Sequence, residues 1–177
     1  MKSDLENKVV LVTGGAGGIG SVISKSFAEQ GAKVIVHYNN SKDKAEEIAN
    51  EIGGVAIKAD LTDAKQSKKL FDNIIDKEGK IDICIANAGN YPKGIAPIWE
   101  IENDRWDNTI STNLSLTYNT SRYFLKHASE TKKGSLVLIG STAGIYGEAG
   151  HADYAAAKGA ITSGLLRTLK NDAAQIR

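Results

Sequence analysis

Val9-Val10-Leu11-Val12-Thr13-Gly14-Gly15-Ala16-Gly17-Gly18-Ile19-Gly20 is the stretch on which the fold turns. Residues 8–12 are almost all apolar, which suits a strand buried on both faces of a parallel sheet. A glycine run follows at once. Residues 21–30 then have helical period, with Val22, Ile23 and Phe27 on one side. Gly31 stands where a helix ends in the left-handed conformation. Strand, glycine turn and helix in direct succession open a βαβ unit.

The same alternation repeats outward from that unit. Strands are expected at 33–38, 55–59, 81–86 and 135–140. Helices are expected at 42–52, 63–77 and 152–172, with a long helical stretch at 102–127 broken near Thr112. Leu70, Phe71, Ile74 and Ile75 give the third helix its apolar side, and Pro92 and Pro97 share one loop. Five strands with helical crossovers imply an α/β fold of Rossmann type, a doubly wound parallel sheet in three α/β/α layers. A single domain over residues 1–177 is expected, with 41% hydrophobic residues to fill its core.

Composition excludes several partners. A net charge of +1 offers no electrostatic footprint for nucleic acid or a membrane surface. Residues 1–7 lack the apolar core of a signal peptide, and no apolar run approaches the roughly 20 residues that span a bilayer. Cys84, the one cysteine, sits in an apolar strand and reads as a buried thiol. The expectation is a cytoplasmic protein with a small-molecule partner.

The glycine turn has the chemistry of a dinucleotide site. A pyrophosphate needs unusual dihedrals, a backbone it can approach closely and the free N–H groups of a helix N-terminus. Gly14, Gly18 and Gly20 can supply these, with Gly17 and Ile19 between them. NAD sites usually place a carboxylate at the end of the second strand to hold the ribose 2′-hydroxyl. Here that position reads Tyr38-Asn39-Asn40-Ser41-Lys42, with no carboxylate before Asp43. Nothing there repels a 2′-phosphate, and the charge argument favours NADP over NAD.

Tyr154-Ala155-Ala156-Ala157-Lys158 puts a phenol and an ammonium at i and i+4 on one helix face. An isolated phenol ionises near pH 10, and a fixed cation beside it favours the phenolate. So placed, Tyr154 can give a proton to a carbonyl oxygen or take one from an alcohol. Ser141 follows the fifth strand, at the carboxyl end of the sheet where such folds bind ligands. Its hydroxyl can hydrogen-bond a substrate oxygen as charge develops.

With these residues in place, the chain resembles the short-chain dehydrogenase/reductase superfamily, close to its 3-oxoacyl-reductase and sugar-dehydrogenase members. The resemblance runs from Lys8 to the C-terminus on ordered signatures: Thr13-Gly14-x-x-x-Gly18-x-Gly20, Asp60, Asn87-Ala88-Gly89, Asn113, Ser141 and Tyr154-x-x-x-Lys158. It implies that Tyr154 is the general acid/base and that Lys158 assists it and binds the nicotinamide ribose. Ser141 would polarise the substrate carbonyl, and Asn113 would hold a water leading from Lys158. Asp60 and Leu61 would contact adenine, and Asn87, Ala88 and Gly89 the adenosine side. Ala86 replaces the first Asn of the usual Asn-Asn-Ala-Gly, and Gly17 stands where NADP-preferring relatives often carry a basic residue.

Family members usually run to about 250 residues as one α/β domain, so the resemblance implies that the strands and substrate lid beyond Arg177 are lacking. A chain without them is expected to bind cofactor weakly and turn over slowly. A homodimer or homotetramer is implied through the helix bearing Tyr154 and the long one before it.

The remaining polar residues read more plainly. His37, His127 and His151 lack metal spacing and are expected at the surface or in loops, with His151 near the substrate. Trp99 and Trp106 are expected to pack against the core. Residues 91–99 and 144–151 should form one side of the substrate pocket. Three functions stay open: an NADP-dependent carbonyl reductase, an NAD-dependent sugar or polyol dehydrogenase, and a non-catalytic nucleotide-binding or regulatory protein.

Overall fold

The computed structural model describes residues 4–176; residues 1–3 and 177, and with them part of the segment searched for a signal peptide, lie outside it. Strands β1 (Val9–Val12), β2 (Lys33–Tyr38), β3 (Val55–Lys58), β4 (Ile83–Ala86) and β5 (Ser135–Leu138) form one parallel sheet in the order β3-β2-β1-β4-β5. The order reverses between β1 and β4, which pair with Val10 opposite Ile83 and Leu11 opposite Cys84. At such a switch point the loops leave the sheet in opposite directions and open a crevice at its carboxyl edge.

The period of two along each strand builds both layers of core. Val9, Leu11, Ile35 and Cys84 face one way, into a cluster with Leu70, Phe71, Ile74 and Phe124. Val10, Val12, Val34, Val36 and Ile85 face the other, against Ala45, Ile48 and Ala49. The helices involved are α1 (Gly18–Glu29), α2 (Lys42–Ile52), α3 (Ala64–Glu78) and α5 (Leu116–Thr131). Asp63 caps α3 by accepting from the N–H groups of Lys65 and Gln66. Cys84 is buried, and burial pushes its thiol pKa upward, as expected of a structural cysteine. Among the described residues no helix is long and apolar enough to cross a membrane.

The long helical stretch breaks at Ser111–Ser115, a π-turn between α4 (Asn103–Ile110) and α5, beside Thr112 as expected. A second π-turn, Ile161–Leu165, divides the last helix into α7 (Ala152–Ala160) and α8 (Leu166–Ala173). No glycine–proline signal foretold it. A short helix α6 (Ala143–Tyr146) and a 3₁₀ turn at Ile98–Glu100 also went unforeseen.

Three packing expectations are corrected. Val22 is 63% exposed, because the buried line of α1 runs through Gly20 and Ser24, with Ile23 and Phe27 partly covered. Trp99 is 82% exposed on its 3₁₀ turn, and Trp106 lies on the outer side of α4, whose inward residue is the buried Thr109. All three histidines are buried rather than superficial, and His151 alone lies in a loop, with His37 on β2 and His127 on α5. Each ring meets polar groups that folding would otherwise strand: the Gly14 N–H and Ala59 carbonyl for His37, the Ile81 N–H for His127 and the Tyr91 hydroxyl for His151.

Candidate active site

The crevice at the switch point is a cleft of about 770 Å³ at the carboxyl edge of the sheet. One end is the glycine turn. Gly14 takes the left-handed conformation (φ +61°), which places its carbonyl to accept from the Gly17 N–H at 2.9 Å. A Cβ on Gly20 would stand 2.1 Å from that carbonyl oxygen, so this glycine closes the turn itself. A Cβ on Gly18 would meet nothing within 4 Å, so its side faces open space. Helix α1 begins here without a side-chain cap. Among the described residues the N–H groups of Gly18, Ile19 and Gly20 have no backbone partner. An uncapped helix start carries partial positive charge and free donors, the donor set a pyrophosphate requires.

Thr13 and Asn87 lock this turn to β4. The Thr13 hydroxyl donates to the Ile85 carbonyl and accepts from the N–H groups of Asn87 and Ala88. Asn87 Nδ2 donates to the carbonyls of Thr13 (2.9 Å) and Gly14 (3.2 Å). The amide nitrogen of Asn87 is therefore committed to the turn, and Asn87, Ala88 and Gly89 continue the cleft wall. Tyr38, Asn39, Asn40 and Ser41 line the wall after β2, and Asp60, Leu61 and Thr62 after β3. Asp60 Oδ1 accepts from both the N–H and the hydroxyl of Thr62. Lys42 points elsewhere, 3.6 Å from Glu46 at the surface.

Asn113, Tyr154 and Lys158 line the other end. The π-turn swings Asn113 inward, fully buried, where Nδ2 donates to the carbonyls of Asn90 (2.8 Å) and Thr109 (3.0 Å). Its Oδ1 has no hydrogen-bond partner. Gly89 keeps open the space before that oxygen: a Cβ there would lie 2.8 Å from Asn113 Oδ1 and 3.5 Å from Lys158 Nζ. Lys158 donates to the Ile139 carbonyl at 2.9 Å and sits 5.9 Å from the centre of the Tyr154 ring. Burial lowers its pKa, so one carbonyl and the neighbouring ring hold a cation that has lost much of its water.

Of the residues expected to be catalytic or to bind cofactor, Ser141 alone lies outside the cleft wall, which at that strand end shows Ile139 and Gly140. Its Oγ accepts from the N–H of Ala143 at 3.2 Å, a local bond of the kind serine makes at turns. Accepting leaves its own proton free to be donated.

Of the loops 91–99 and 144–151, expected to form one side of the pocket, Tyr91 alone lines the cleft, and the contacts it makes around Tyr154 were not read from the sequence. Tyr91 lines the cleft with its ring edge-on to Tyr154 (centres 5.0 Å apart) and stacked on His151 (4.5 Å). Its hydroxyl donates to Glu148 at 2.6 Å, and that bond pushes its pKa up to about 12. Tyr91 therefore keeps its proton at neutral pH. Residues 144–151, expected in the pocket wall, support it from behind instead. Beneath them the fully buried Asp153 accepts from Arg105 at 3.0 Å and from Thr109 at 2.9 Å, pinning α7 to α4. Burial alone would raise the Asp153 pKa, but those bonds bring it below the ordinary carboxylate value.

Residues 8–177 match the family model described as short chain dehydrogenase. The chain belongs to the short-chain dehydrogenase family. Among curated members of that family it is 33% identical over 162 residues to the 3-oxoacyl-(acyl-carrier-protein) reductase FabG of Thermotoga maritima, covering 89% of this chain and 65% of the relative. It is 36% identical over 165 residues to Elsinochrome reductase 1 of Elsinoe fawcettii, covering 90% of this chain and 60% of that one. For the FabG of Salmonella typhimurium the values are 34% over 155 residues, 86% and 62%. The chain thus spans less than two thirds of the length of these short-chain dehydrogenases.

Proposed function

We propose that this chain carries the cofactor-binding and catalytic residues of an NADP-dependent oxidoreductase that interconverts a ketone or aldehyde with a secondary alcohol. The observation that carries this reading is one cleft with an uncapped glycine turn at one end and Tyr154, Lys158 and Asn113 at the other. The names of the relatives, reductases of an oxoacyl compound and of elsinochrome, favour reduction as the working direction.

The residues present fit a dinucleotide. Gly18, Ile19 and Gly20 would receive the pyrophosphate on their N–H groups, and Gly14 and Gly17 shape the turn beneath it. Asp60, Leu61, Ala88 and Gly89 flank the adenosine end. Tyr38, Asn39, Asn40 and Ser41 are neutral where an NAD site has a carboxylate, which favours a 2′-phosphate. Bound here, the nicotinamide supplies or accepts the hydride.

Tyr154 donates its phenolic proton to the substrate oxygen as the carbonyl becomes an alkoxide, and the reverse reaction returns it. The Lys158 ammonium, held by the Ile139 carbonyl, stabilises the phenolate left behind. A water between Lys158 Nζ and Asn113 Oδ1 returns the proton from solvent, giving the unpartnered oxygen its bond. The hydroxyl of Ser141 turns its free proton toward the substrate oxygen. Assembly as a homodimer or homotetramer is proposed through α5 and α7–α8, where Tyr118 and Leu166 are exposed.

Replacing Tyr154 with Phe tests the reading. Turnover of a carbonyl panel with NADPH is expected to fall roughly 10²- to 10⁴-fold, the usual worth of a general acid, with NADPH affinity unchanged. An unaltered rate in the variant would reject this chemistry. Faster turnover of polyols with NAD would reject the cofactor and the direction.

A further inference from the structure

We infer that His37 is a positioning residue for the dinucleotide: its ring holds the Gly14 N–H, and through it the glycine turn, in the geometry that receives the pyrophosphate. The inference rests on the dinucleotide-binding reading above and adds to it a residue from outside the glycine motif.

His37 is 2% exposed and lies in the cleft wall one residue before Tyr38. The Gly14 N–H donates to Nδ1 at 3.1 Å, and the opposite nitrogen lies 3.0 Å from the Ala59 carbonyl. A backbone N–H can only donate and a carbonyl only accept. The ring must therefore be neutral, with its proton on Nε2 donated to Ala59. Both nitrogens are committed, so the tautomer follows from the geometry.

The Gly14 peptide is gripped on both sides. His37 takes its N–H, while its carbonyl accepts from Gly17 and from Asn87 Nδ2. The main chain of His37 also reaches the turn, since its carbonyl accepts from the Gly15 N–H at 2.9 Å. One residue of β2 thus fixes two successive peptides of the turn between β1 and α1. Its other nitrogen fixes the residue just before Asp60 and Leu61. A histidine that merely filled core space would have no reason to tie the end of β2 to the ends of β1 and β3, which border the same cleft.

Protonation would put a second N–H against the Gly14 N–H. Burial opposes it, the bond to Ala59 and the charge of Asp60 favour it, and the net result holds the pKa down to about 4. The stretch Thr13–Gly20 carries no titratable side chain, so Asp60 is the charged group acting on the ring among the described residues.

The test compares wild type, His37→Leu and His37→Asn, measuring NADP binding by calorimetry and the Gly14 amide by NMR without cofactor. Asn is the conservative variant because its Oδ1 can stand where Nδ1 stands and cannot titrate. His37→Leu is expected to weaken NADP about 5- to 100-fold, the cost of an unpaired buried donor, and to strip the Gly14 amide of its exchange protection. His37→Asn is expected to restore both to within about threefold, in line with a bond replaced rather than lost. Wild-type affinity should fall more steeply than that of His37→Asn as pH drops from 5 toward 4, where the folded ring takes up its proton. Should His37→Leu fail to fold, that pH comparison decides alone, and identical profiles would overturn the inference. A folded His37→Leu variant that binds NADP as wild type does, with Gly14 still protected, would overturn the positioning role only. Wild type that binds neither NADP nor NAD would overturn the oxidoreductase reading, and the positioning role with it.

Discussion

The two ends of the cleft are held in different ways. The glycine-turn end is built from main chain. Thr13, His37 and Asn87 direct their side chains at backbone N–H and carbonyl groups of strand ends that the sheet already brings together. The catalytic end is built from side chains of separate loops and helices. Tyr91 meets Glu148 and His151, and Arg105 meets Asp153, across 48 to 60 residues of chain. The residues that organise the two ends differ in exposure, Tyr91 at 48% and His37 at 2%. A phosphate-binding turn must be rigid before its ligand arrives, so satisfied backbone groups and buried rings suit it. At the Tyr154 end the side-chain network of Tyr91, Glu148 and His151 instead sets one tyrosine apart from its surroundings.

The widest gap between the ends should appear in Arg105→Leu. It leaves the buried Asp153 carboxylate without its cation, a loss of roughly 3–5 kcal/mol in stability. Chemical denaturation is the measure, and a change below about 1 kcal/mol, the range of a surface ion pair, would show that the catalytic end does not depend on this pair.

Acid should act first on the other end. His37 ionises near 4 in the folded chain against an ordinary value of 6.5, so the folded state binds fewer protons than the unfolded one between those limits. Its contribution is complete above about pH 6.5 and is lost as pH falls through 4, in all about 3 kcal/mol. Asp63, Asp82 and Asp153 have lowered pKa values, so their contributions fade only in more acid solution. Denaturation curves for His37→Asn should therefore be flat from pH 6.5 to 5 where wild type slopes. Equal slopes would place the proton uptake elsewhere.

The finest contrast lies within the turn. Gly20→Ala sets a methyl 2.1 Å from the Gly14 carbonyl and should cost roughly 1–3 kcal/mol of stability through overpacking. Gly18→Ala meets open space, so it should leave melting unchanged and weaken NADP binding alone. Loss of stability in both variants would mean that the turn is set by folding without reference to a ligand.

Legibility followed the same division. Strands β1 to β5, the helices between them and the break near Thr112 can be read from the chain because periodicity and glycine punctuation are local signals. Every expected cofactor residue, from Gly14 to Gly89, lines the cleft, as do Tyr154 and Lys158. Tyr91, Glu148 and His151 were placed beside the pocket only as members of two loops, 91–99 and 144–151; their contacts with one another gave no signal, since they depend on where those irregular loops meet. His37 was misread because an isolated histidine in a strand looks alike whether its ring meets water or a backbone N–H. Trp99 and Trp106 were misread because aromatic character predicts burial only where a helix turns its apolar side inward, and α4 turns Thr109 inward instead.

Hydrophobic period, a glycine run and the spacing of Tyr154 from Lys158 are enough to specify a parallel α/β sheet with a tyrosine–lysine pair at its carboxyl edge, since each acts within a few residues. Which nitrogen of His37 carries the proton, why Asn113 faces inward and what surrounds Tyr154 were settled only when distant segments packed together. Hydrogen-bond roles and burial belong to neighbours in space, and spacing along the chain carries no record of them.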